Sequence, residues 1–237
     1  MSESSQSSGS ASEDLPRLKA QLHSTILYAI VDLGYVTPEN AASACQALLA
    51  GGAGILQLRA KGYDLATIEA VARELIPLSR EAGVPFILND FPELAATLDA
   101  DGVHIGQDDG PLAAARAIVG EGKIIGRSTH SLEQAEAALA EGFDYIGFGP
   151  LFPTGTKPGR PAIGLDQIAE MERRVGSKIP AFCIGGLNFE TLPVVMEAGA
   201  RRVVIVSALL QADDIREATH RAIGQFGIRN SEFGMEE

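Results

Sequence analysis

The chain has 237 residues, of which 46% are hydrophobic and 21% charged, and its formal net charge is −12 at pH 7. That composition excludes a wholly disordered or collagen-like chain. The acidic balance excludes the broad basic surface of a nucleic-acid-binding protein, so any anionic ligand must be held by a few local cations. No apolar stretch approaches the roughly 20 residues that cross a bilayer. We therefore expect a folded, water-soluble protein that acts on small molecules, without nucleic-acid or membrane partners.

The two ends of the chain differ in composition from its middle. Residues 1–14 are rich in serine and lack the basic and apolar regions of a signal peptide, so we expect a disordered tail there. An acidic tail is expected over 229–237, which leaves one domain over 15–228. Cys45 and Cys183 lie far apart and have no Cys or His at metal-ligand spacing. We therefore expect both cysteines to be reduced thiols and the protein to be cytoplasmic.

Short apolar runs alternate with longer Ala- and Glu-rich segments from residue 24 onward, which is typical of βαβ units. The predicted strands cover 25–32, 54–60, 85–90, 102–106, 123–128, 145–149, 180–185 and 203–207. The predicted helices cover 38–50, 64–82, 92–99, 111–119, 131–141, 165–176, 190–198 and 213–226. Eight strand–helix pairs predict an α/β fold, a single-domain (β/α)₈ TIM barrel. A doubly wound open sheet also alternates β and α, but it usually has five or six strands.

In such a barrel the active site lies at the carboxyl ends of the strands. The second predicted strand ends with Gln57, Arg59 and Lys61 at every second position, which turns the three side chains to the same side. A guanidinium and an ammonium group so placed predict a phosphate or diphosphate site. The alternative is a solvated strand end.

Carboxylates follow the next two predicted strands. Asn89-Asp90 ends the third strand, and Asp108-Asp109 follows the fourth. Oxygen ligands from adjacent loops, close to cations that bind phosphate, are typical of an Mg²⁺ site completed by water and phosphate oxygens. The alternative for 108–111 is a turn followed by a helix cap.

Two further loops carry phosphate-site features. Residues 147–160 form a glycine- and proline-rich loop with Thr154, Thr156 and Lys157, which could fold over a substrate and exclude water. Gly186 follows the seventh strand and Ser207 the eighth, where these barrels usually bind phosphate. The sequence therefore predicts two anion sites and two phosphorylated substrates.

Together these segments resemble the thiamine phosphate synthase family, over about residues 25–210. The motifs that carry the resemblance are LYAIVD (27–32), GAGILQLRAK (52–61), FILND (86–90), ADGVHIGQDD (100–109), IGRSTH (125–130), DYIGFGPLFPTGTK (144–157) and IGG (184–186). The family joins a hydroxymethylpyrimidine diphosphate to a thiazole phosphate, with Mg²⁺, and releases pyrophosphate. The resemblance thus implies a transferase of thiamine biosynthesis with Mg²⁺ as its cofactor.

The resemblance also implies roles for individual residues. The implied metal ligands are Asp90 and Asp109. The implied diphosphate ligands are Arg59, Lys61, Asn89 and Lys157. The implied pyrimidine pocket contains Gln57, His104 and Ser128, and the implied thiazole phosphate site contains Thr154, Thr156 and the backbone near Gly186, Val206 and Ser207. The predicted catalytic residues are Arg59, Lys61, Lys157 and Ser128.

Three positions depart from the family pattern, namely Val31, Ala60 and Phe91. None of them is among the implied ligands. The related thiazole tautomerase shares the barrel and phosphate site but needs no diphosphate–metal pocket. The synthase is therefore favoured by the combination of Asp90, Asp109, Arg59, Lys61 and Lys157. A non-catalytic barrel that binds thiazole phosphate is the remaining alternative. A homo-oligomer is compatible with the sequence.

Overall fold

The chain folds into a closed barrel of eight parallel β-strands surrounded by helices, in a computed structural model that describes residues 11–153 and 161–232. Each strand pairs with the next one along the chain, and the last strand pairs with the first. Parallel neighbours need crossover connections, which the intervening helices supply. The predicted (β/α)₈ barrel is confirmed.

The strands are short and the helices vary widely in length. The strands are β1 (Leu27–Asp32), β2 (Ile55–Arg59), β3 (Phe86–Asn89), β4 (Gly102–Ile105), β5 (Ile124–Thr129), β6 (Tyr145–Phe148), β7 (Ala181–Cys183) and β8 (Val203–Ile205). The helices are α1 (Ala11–Ser24), α2 (Pro38–Ala50), α3 (Leu65–Glu81), α4 (Pro92–Thr97), α5 (Leu112–Val119), α6 (Leu132–Glu141), α7 (Ile168–Met171, continued by a π-helical turn over Glu172–Gly176), α8 (Leu192–Glu197), α9 (Ser207–Leu210) and α10 (Ile215–Glu232).

All eight predicted strands are present, and most differ from the prediction by one or two residues at an end. The terminal helices overlap the two predicted tails. Residues 11–14 belong to α1, and α10 continues to Glu232, past the predicted domain limit at 228. The rest of the two predicted tails, 1–10 and 233–237, lies outside the described residues. Helices α1 and α9 were not predicted.

Aromatic and aliphatic side chains fill the inside of the barrel. Tyr28, Tyr145 and Phe182 pack edge to face at its centre, with ring centroids 5.4–5.9 Å apart. The apolar side chains that surround them are those of Ile30, Ile55, Ile87, Ile124 and Val204. Strand residues of the opposite parity, such as Leu27 and Val31, pack outward against the helices in a second, larger core.

Helix α1 covers the end of the barrel at which the strands begin. Leu18 and Leu22 lie four positions apart, on one face of the helix, and both pack against the interior cluster. Asp144, the residue before β6, holds the helix in place: its carboxylate lies 2.7 Å from Lys19 Nζ and 3.1 Å from Arg116 Nη2. The Asp144 carboxylate also accepts the Ile125 N–H at 2.8 Å. These contacts hold the second half of α1 against the barrel.

The opposite end of the barrel is polar. On the strands, the side chains that point into the barrel are apolar where the strands begin and polar where they end. The polar ones are all buried: Asp32, Gln57, Arg59, Asn89, His104 and Ser128. The barrel therefore presents one closed apolar end and one polar end.

Among the described helices, none has the length and apolar composition needed to cross a membrane.

We expect Leu22→Ala to lower the free energy of unfolding by about 2–5 kcal/mol, because it opens a cavity at the closed end of the barrel. Leu22 is fully buried, with 0% of its surface exposed, whereas Leu65 on α3 is 58% exposed. Leu65→Ala is therefore the matched control, with an expected change within about 0.5 kcal/mol. Urea denaturation measures both. Equal, small effects of the two substitutions would show that α1 does not close the barrel.

Candidate active site

One cavity at the carboxyl ends of the strands contains most of the predicted site residues. Those that line it are Gln57, Arg59, Asn89, His104, Ser128, Gly186, Val206 and Ser207. Lys61, Asp90 and Asp109 lie on the loops that follow β2, β3 and β4. Thr154, Thr156 and Lys157 lie outside the described residues. The structure thus gathers side chains from strands that are far apart in the sequence.

Arg59 is held by a carboxylate that had no predicted role. Asp32 is the register partner of Arg59 across β1 and β2. Arg59 Nη1 donates to Asp32 Oδ2 at 2.6 Å, and the Gly34 N–H donates to Asp32 Oδ1 at 2.9 Å. Asp32 is 1% exposed and Arg59 is 9% exposed, so the pair is shielded from water. Asp32 therefore fixes the direction of the guanidinium inside the cavity.

Lys61 and Asp90 meet at the rim of the cavity. Lys61 Nζ lies 3.5 Å from Asp90 Oδ2, and both side chains remain accessible to solvent. Asp90 has a φ of +74°, in the left-handed region that aspartate tolerates better than most residues. Its N–H donates to the His104 carbonyl at 2.9 Å, which anchors this turn to β4. A cation and a carboxylate are thus side by side where β3 ends.

Asp109 belongs to a loop that β5 holds in place. Its Oδ2 accepts the Gly106 N–H at 2.6 Å. Arg127, on β5, donates to the carbonyls of Gly110 at 2.7 Å and Gln107 at 3.1 Å. Gln107 in turn donates from Nε2 to the Ser128 carbonyl at 2.6 Å. Arg127 and Gln107 had no predicted role, yet their contacts determine where the Asp109 loop lies.

The donor set at this rim is compatible with magnesium bound through substrate. No group of three or more Asp, Glu, His or Cys side chains within the described ranges could hold a metal by itself. Mg²⁺ in phosphate-transfer sites is commonly bound by one or two carboxylates, with water and substrate phosphates in the other positions. Asp90 and Asp109 supply that number of carboxylates on adjacent loops.

A chain of hydrogen bonds crosses the floor of the cavity. Gln57 Nε2 donates to the Tyr28 hydroxyl at 2.6 Å, and the Tyr28 and Tyr145 hydroxyls lie 2.9 Å apart. The Tyr145 hydroxyl lies 3.0 Å from His104 Nδ1, and His104 Nε2 lies 2.9 Å from Ser128 Oγ. The three predicted pyrimidine-pocket residues are therefore linked through two tyrosines. We name this set, Gln57–Tyr28–Tyr145–His104–Ser128, the polar chain.

Sequence reasoning missed Tyr28 and Tyr145, although a signal was present. Strand alternation places Tyr28 on the same face of β1 as Asp32, and Tyr145 on the same face of β6 as Gly147. A Cβ on Gly126 would lie 2.0 Å from the Tyr145 ring, so this glycine makes room for the tyrosine. Burial raises the pKa of both phenols above the usual value. Both hydroxyls consequently stay protonated at neutral pH.

The far side of the cavity is built from closely packed backbone. Gly186 has a φ of +69°, and a Cβ there would lie 2.7 Å from the Phe152 Cβ. Only glycine fits this position without a shift of the 152–153 segment. Val206 and Ser207 lie beside it, where β8 passes into the short helix α9. His130 donates from Nδ1 to the Gly149 carbonyl, so this histidine holds the start of the loop after β6.

We expect Asp32→Asn to lower the free energy of unfolding by about 3 kcal/mol, because it leaves a buried guanidinium without its carboxylate. Asparagine retains an oxygen for the Gly34 N–H, so the lost interaction is the one with Arg59. Urea denaturation at neutral pH measures the change. The double variant Asp32→Asn, Arg59→Gln should recover part of it. Unaltered stability in the single variant would mean that the Asp32–Arg59 pair contributes little.

Comparisons with known proteins agree with this geometry. Residues 27–209 match a family described as thiamine monophosphate synthase. A thiamine-phosphate synthase of Thermus thermophilus is 48% identical over 171 residues, which cover 72% of this chain and 81% of the relative. The thiamine-phosphate synthase of Mycolicibacterium vanbaalenii is 44% identical over 217 residues, covering 88% and 97% of the two chains.

Solved structures give the same result. A thiamine phosphate pyrophosphorylase from Pyrococcus furiosus superposes with a TM-score of 0.77 at 33% identity, over 89% of this chain and 98% of that one. A geranylgeranylglyceryl phosphate synthase from Thermoplasma acidophilum superposes with a TM-score of 0.62 at 16% identity, over 90% and 97%, and shows the shared fold alone. The resemblance found in the sequence motifs is confirmed: the chain belongs to the thiamine monophosphate synthase family.

Proposed function

We propose that the protein is a thiamine phosphate synthase. It couples 4-amino-2-methyl-5-hydroxymethylpyrimidine diphosphate to 4-methyl-5-(2-phosphooxyethyl)thiazole and releases pyrophosphate. The observation that carries the proposal is that one cavity contains both Arg59 and Asn89, from β2 and β3, and Gly186 and Ser207, from the β7 and β8 side. A family member with two such sides can bind two phosphorylated substrates with their reacting ends facing each other.

The diphosphate binds on the side of β2 and β3. Arg59, directed by Asp32, and Lys61 at the rim provide positive charge within an otherwise acidic protein. Asn89 adds an amide that can donate to a phosphate oxygen. Charge accumulates on the diphosphate as its bond to carbon breaks, so these groups stabilise the transition state more than the ground state. Lys157, outside the described residues, is proposed to act on the same charge.

Asp90 and Asp109 would hold Mg²⁺ together with the diphosphate oxygens. When bound there, Mg²⁺ would supply positive charge to neutralise the departing pyrophosphate. Lys61 Nζ lies 3.5 Å from Asp90 Oδ2 in a solvent-accessible pair. Arg127 and Gln107 hold the loop that carries Asp109 in place through hydrogen bonds.

The substitution requires no protein nucleophile. The amino group of the pyrimidine donates electrons to the ring, so the carbon–oxygen bond can break first and the electron pair leaves with pyrophosphate. The thiazole nitrogen then uses its lone pair to form the carbon–nitrogen bond. The protein must keep water away from the cationic pyrimidine in between. Ile30, Ile184, Leu187 and Val204 give the cavity an apolar lining suited to that role.

The thiazole phosphate binds on the side of β7 and β8. Closely packed backbone at Gly186, with Val206 and Ser207, can bring N–H groups near the phosphate oxygens. Thr154 and Thr156, on the loop outside the described residues, are proposed to add hydroxyl donors. We also propose that the enzyme works in the cytoplasm, which agrees with the two buried free thiols, Cys45 and Cys183.

The first experiment is formation of thiamine phosphate and pyrophosphate from the purified protein, both substrates and Mg²⁺. Reactions with EDTA and with each substrate alone are the controls. Coupling that needs both substrates and the metal supports the proposal. No coupling by a folded protein that still binds the thiazole phosphate would refute it.

Asp90→Asn should raise the Mg²⁺ concentration for half-maximal turnover by roughly tenfold or more, because one anionic ligand of the metal becomes neutral. Asp213→Asn, an exposed position between α9 and α10, is the matched control and should leave the titration unchanged. Binding of Mn²⁺, followed by electron paramagnetic resonance in the presence of pyrophosphate, gives a readout independent of turnover. Identical metal titrations for Asp90→Asn and the native protein would remove Asp90 from the metal site.

A further inference from the structure

The polar chain has a direction that its hydrogen atoms impose. Each tyrosine hydroxyl carries one proton, and a neutral imidazole carries a proton on only one of its two nitrogens. Gln57 Nε2 donates to the Tyr28 oxygen, so the Tyr28 proton is available for Tyr145. If the Tyr28 proton is donated to Tyr145, the Tyr145 proton goes to His104 Nδ1, the imidazole proton lies on Nε2, and Nε2 donates to Ser128 Oγ. In this arrangement each member of the polar chain donates to the next one.

The two ends of the polar chain, Gln57 and Ser128, line the cavity, as do Tyr28 and His104 between them. At the β2 end, the Gln57 amide uses Nε2 for Tyr28, so its Oε1 is the acceptor left for a ligand. At the β5 end, Ser128 Oγ accepts from His104, so its own proton is left to be donated. The cavity floor consequently presents a fixed acceptor and a fixed donor. Reversing the chain would exchange these roles at both ends together.

We propose that Tyr28 and Tyr145 are positioning residues that select an aminopyrimidine over the corresponding oxopyrimidine, by fixing Gln57 as an acceptor and Ser128 as a donor. An aminopyrimidine offers an exocyclic N–H donor beside a ring-nitrogen acceptor. The oxopyrimidine, in its lactam form, offers a carbonyl acceptor beside a ring N–H donor, which is the opposite pattern. This specificity rests on the proposed function, because it concerns the pyrimidine substrate of the same cavity.

Burial makes the direction resistant to reversal. Tyr28 and Tyr145 are 2% and 0% exposed, so little solvent reaches their hydroxyls. Edge-to-face packing against Phe182 holds both rings, with centroids 5.4 and 5.9 Å from the Phe182 ring. A mismatched substrate must therefore leave buried polar groups unpaired or reverse every bond in the chain. A buried polar group left without a hydrogen-bond partner weakens the binding of that substrate, and enzymes discriminate between analogues in this way.

The test uses Tyr145→Phe, which removes one hydroxyl and keeps the ring that packs on Phe182. The kinetic readout is kcat/KM for the aminopyrimidine diphosphate divided by kcat/KM for its oxo analogue. We expect Tyr145→Phe to lower this ratio about 10-fold to 100-fold, mainly through loss with the amino substrate. Tyr63→Phe, which also removes one hydroxyl but at a 37% exposed position, is the control and should keep the ratio.

A second readout does not depend on activity. Nitrogen-15 spectra of histidine in the unliganded protein report which ring nitrogen carries the proton, and His104→Gln identifies the His104 signals among those of the four histidines. The native protein should show the Nε2–H form alone, and Tyr145→Phe should show a mixture of both forms. If Tyr145→Phe does not fold, Tyr28→Phe breaks the polar chain at the neighbouring link and should lower the same specificity ratio.

The outcomes separate the two proposals. An unchanged ratio together with a single Nε2–H form in folded Tyr145→Phe would overturn the positioning role. An Nδ1–H form in the native protein would also overturn it, because the polar chain would then run in the opposite direction. Absence of coupling with either pyrimidine in the native protein would refute the synthase function, and the tautomer measurement would then decide the polar chain by itself.

Discussion

Closure of the barrel is the constraint on which the rest of the structure depends. Once eight parallel strands form a closed ring, every second side chain must point into a narrow interior. That interior has to be filled where the strands begin and can open to ligand only where they end. The Tyr28, Tyr145 and Phe182 rings fill the centre, and helix α1 covers the closed end. The cavity is what remains of the interior above these rings.

An acidic protein can bind anionic substrates through a few cationic side chains that lie at the binding site. The net charge of −12 gives no general attraction for phosphate. Arg59 and Lys61 instead project from the end of one strand, and each contacts a carboxylate, Asp32 and Asp90 respectively. Asp32 holds Arg59 in position without substrate, whereas the Lys61–Asp90 pair is accessible to solvent. In the proposed reaction the diphosphate meets a guanidinium that is already oriented, so little reorganisation is needed as charge develops.

The sequence predicts the alternation of strands and helices well, because buried parallel strands are continuous apolar runs and helices have a different period. The carboxyl ends of parallel strands share an edge. The sequence therefore also predicts that Gln57, Arg59 and Asn89 lie at one end of the barrel. Helix α1 could not be predicted, because its stability comes from Leu18, Leu22 and Lys19 contacting distant strands. The local sequence does not indicate such long-range contacts.

The missed residues have a common physical cause. Tyr28 and Tyr145 are separated by 117 positions in the chain and meet only after the barrel closes. Arg127 is similarly remote from the loop that it holds, and its partners there are backbone carbonyls, which have no sequence signature. Motifs identify side chains that can touch substrate. They do not identify the residues that orient those side chains, since orientation depends on tertiary neighbours.

The proposed reaction uses no protein nucleophile, so the protein contributes by orienting the substrates and excluding water. The pyrimidine must be recognised before its diphosphate departs, because the cation that follows would react with water or with any misplaced group. A fixed pattern of donors and acceptors in the cavity floor meets this demand better than a flexible one, since it admits one arrangement of the ring. The polar chain supplies that pattern by linking Gln57 and Ser128 through buried hydroxyls. The two tyrosines that fill the barrel interior are therefore also the residues proposed to orient Gln57 and Ser128.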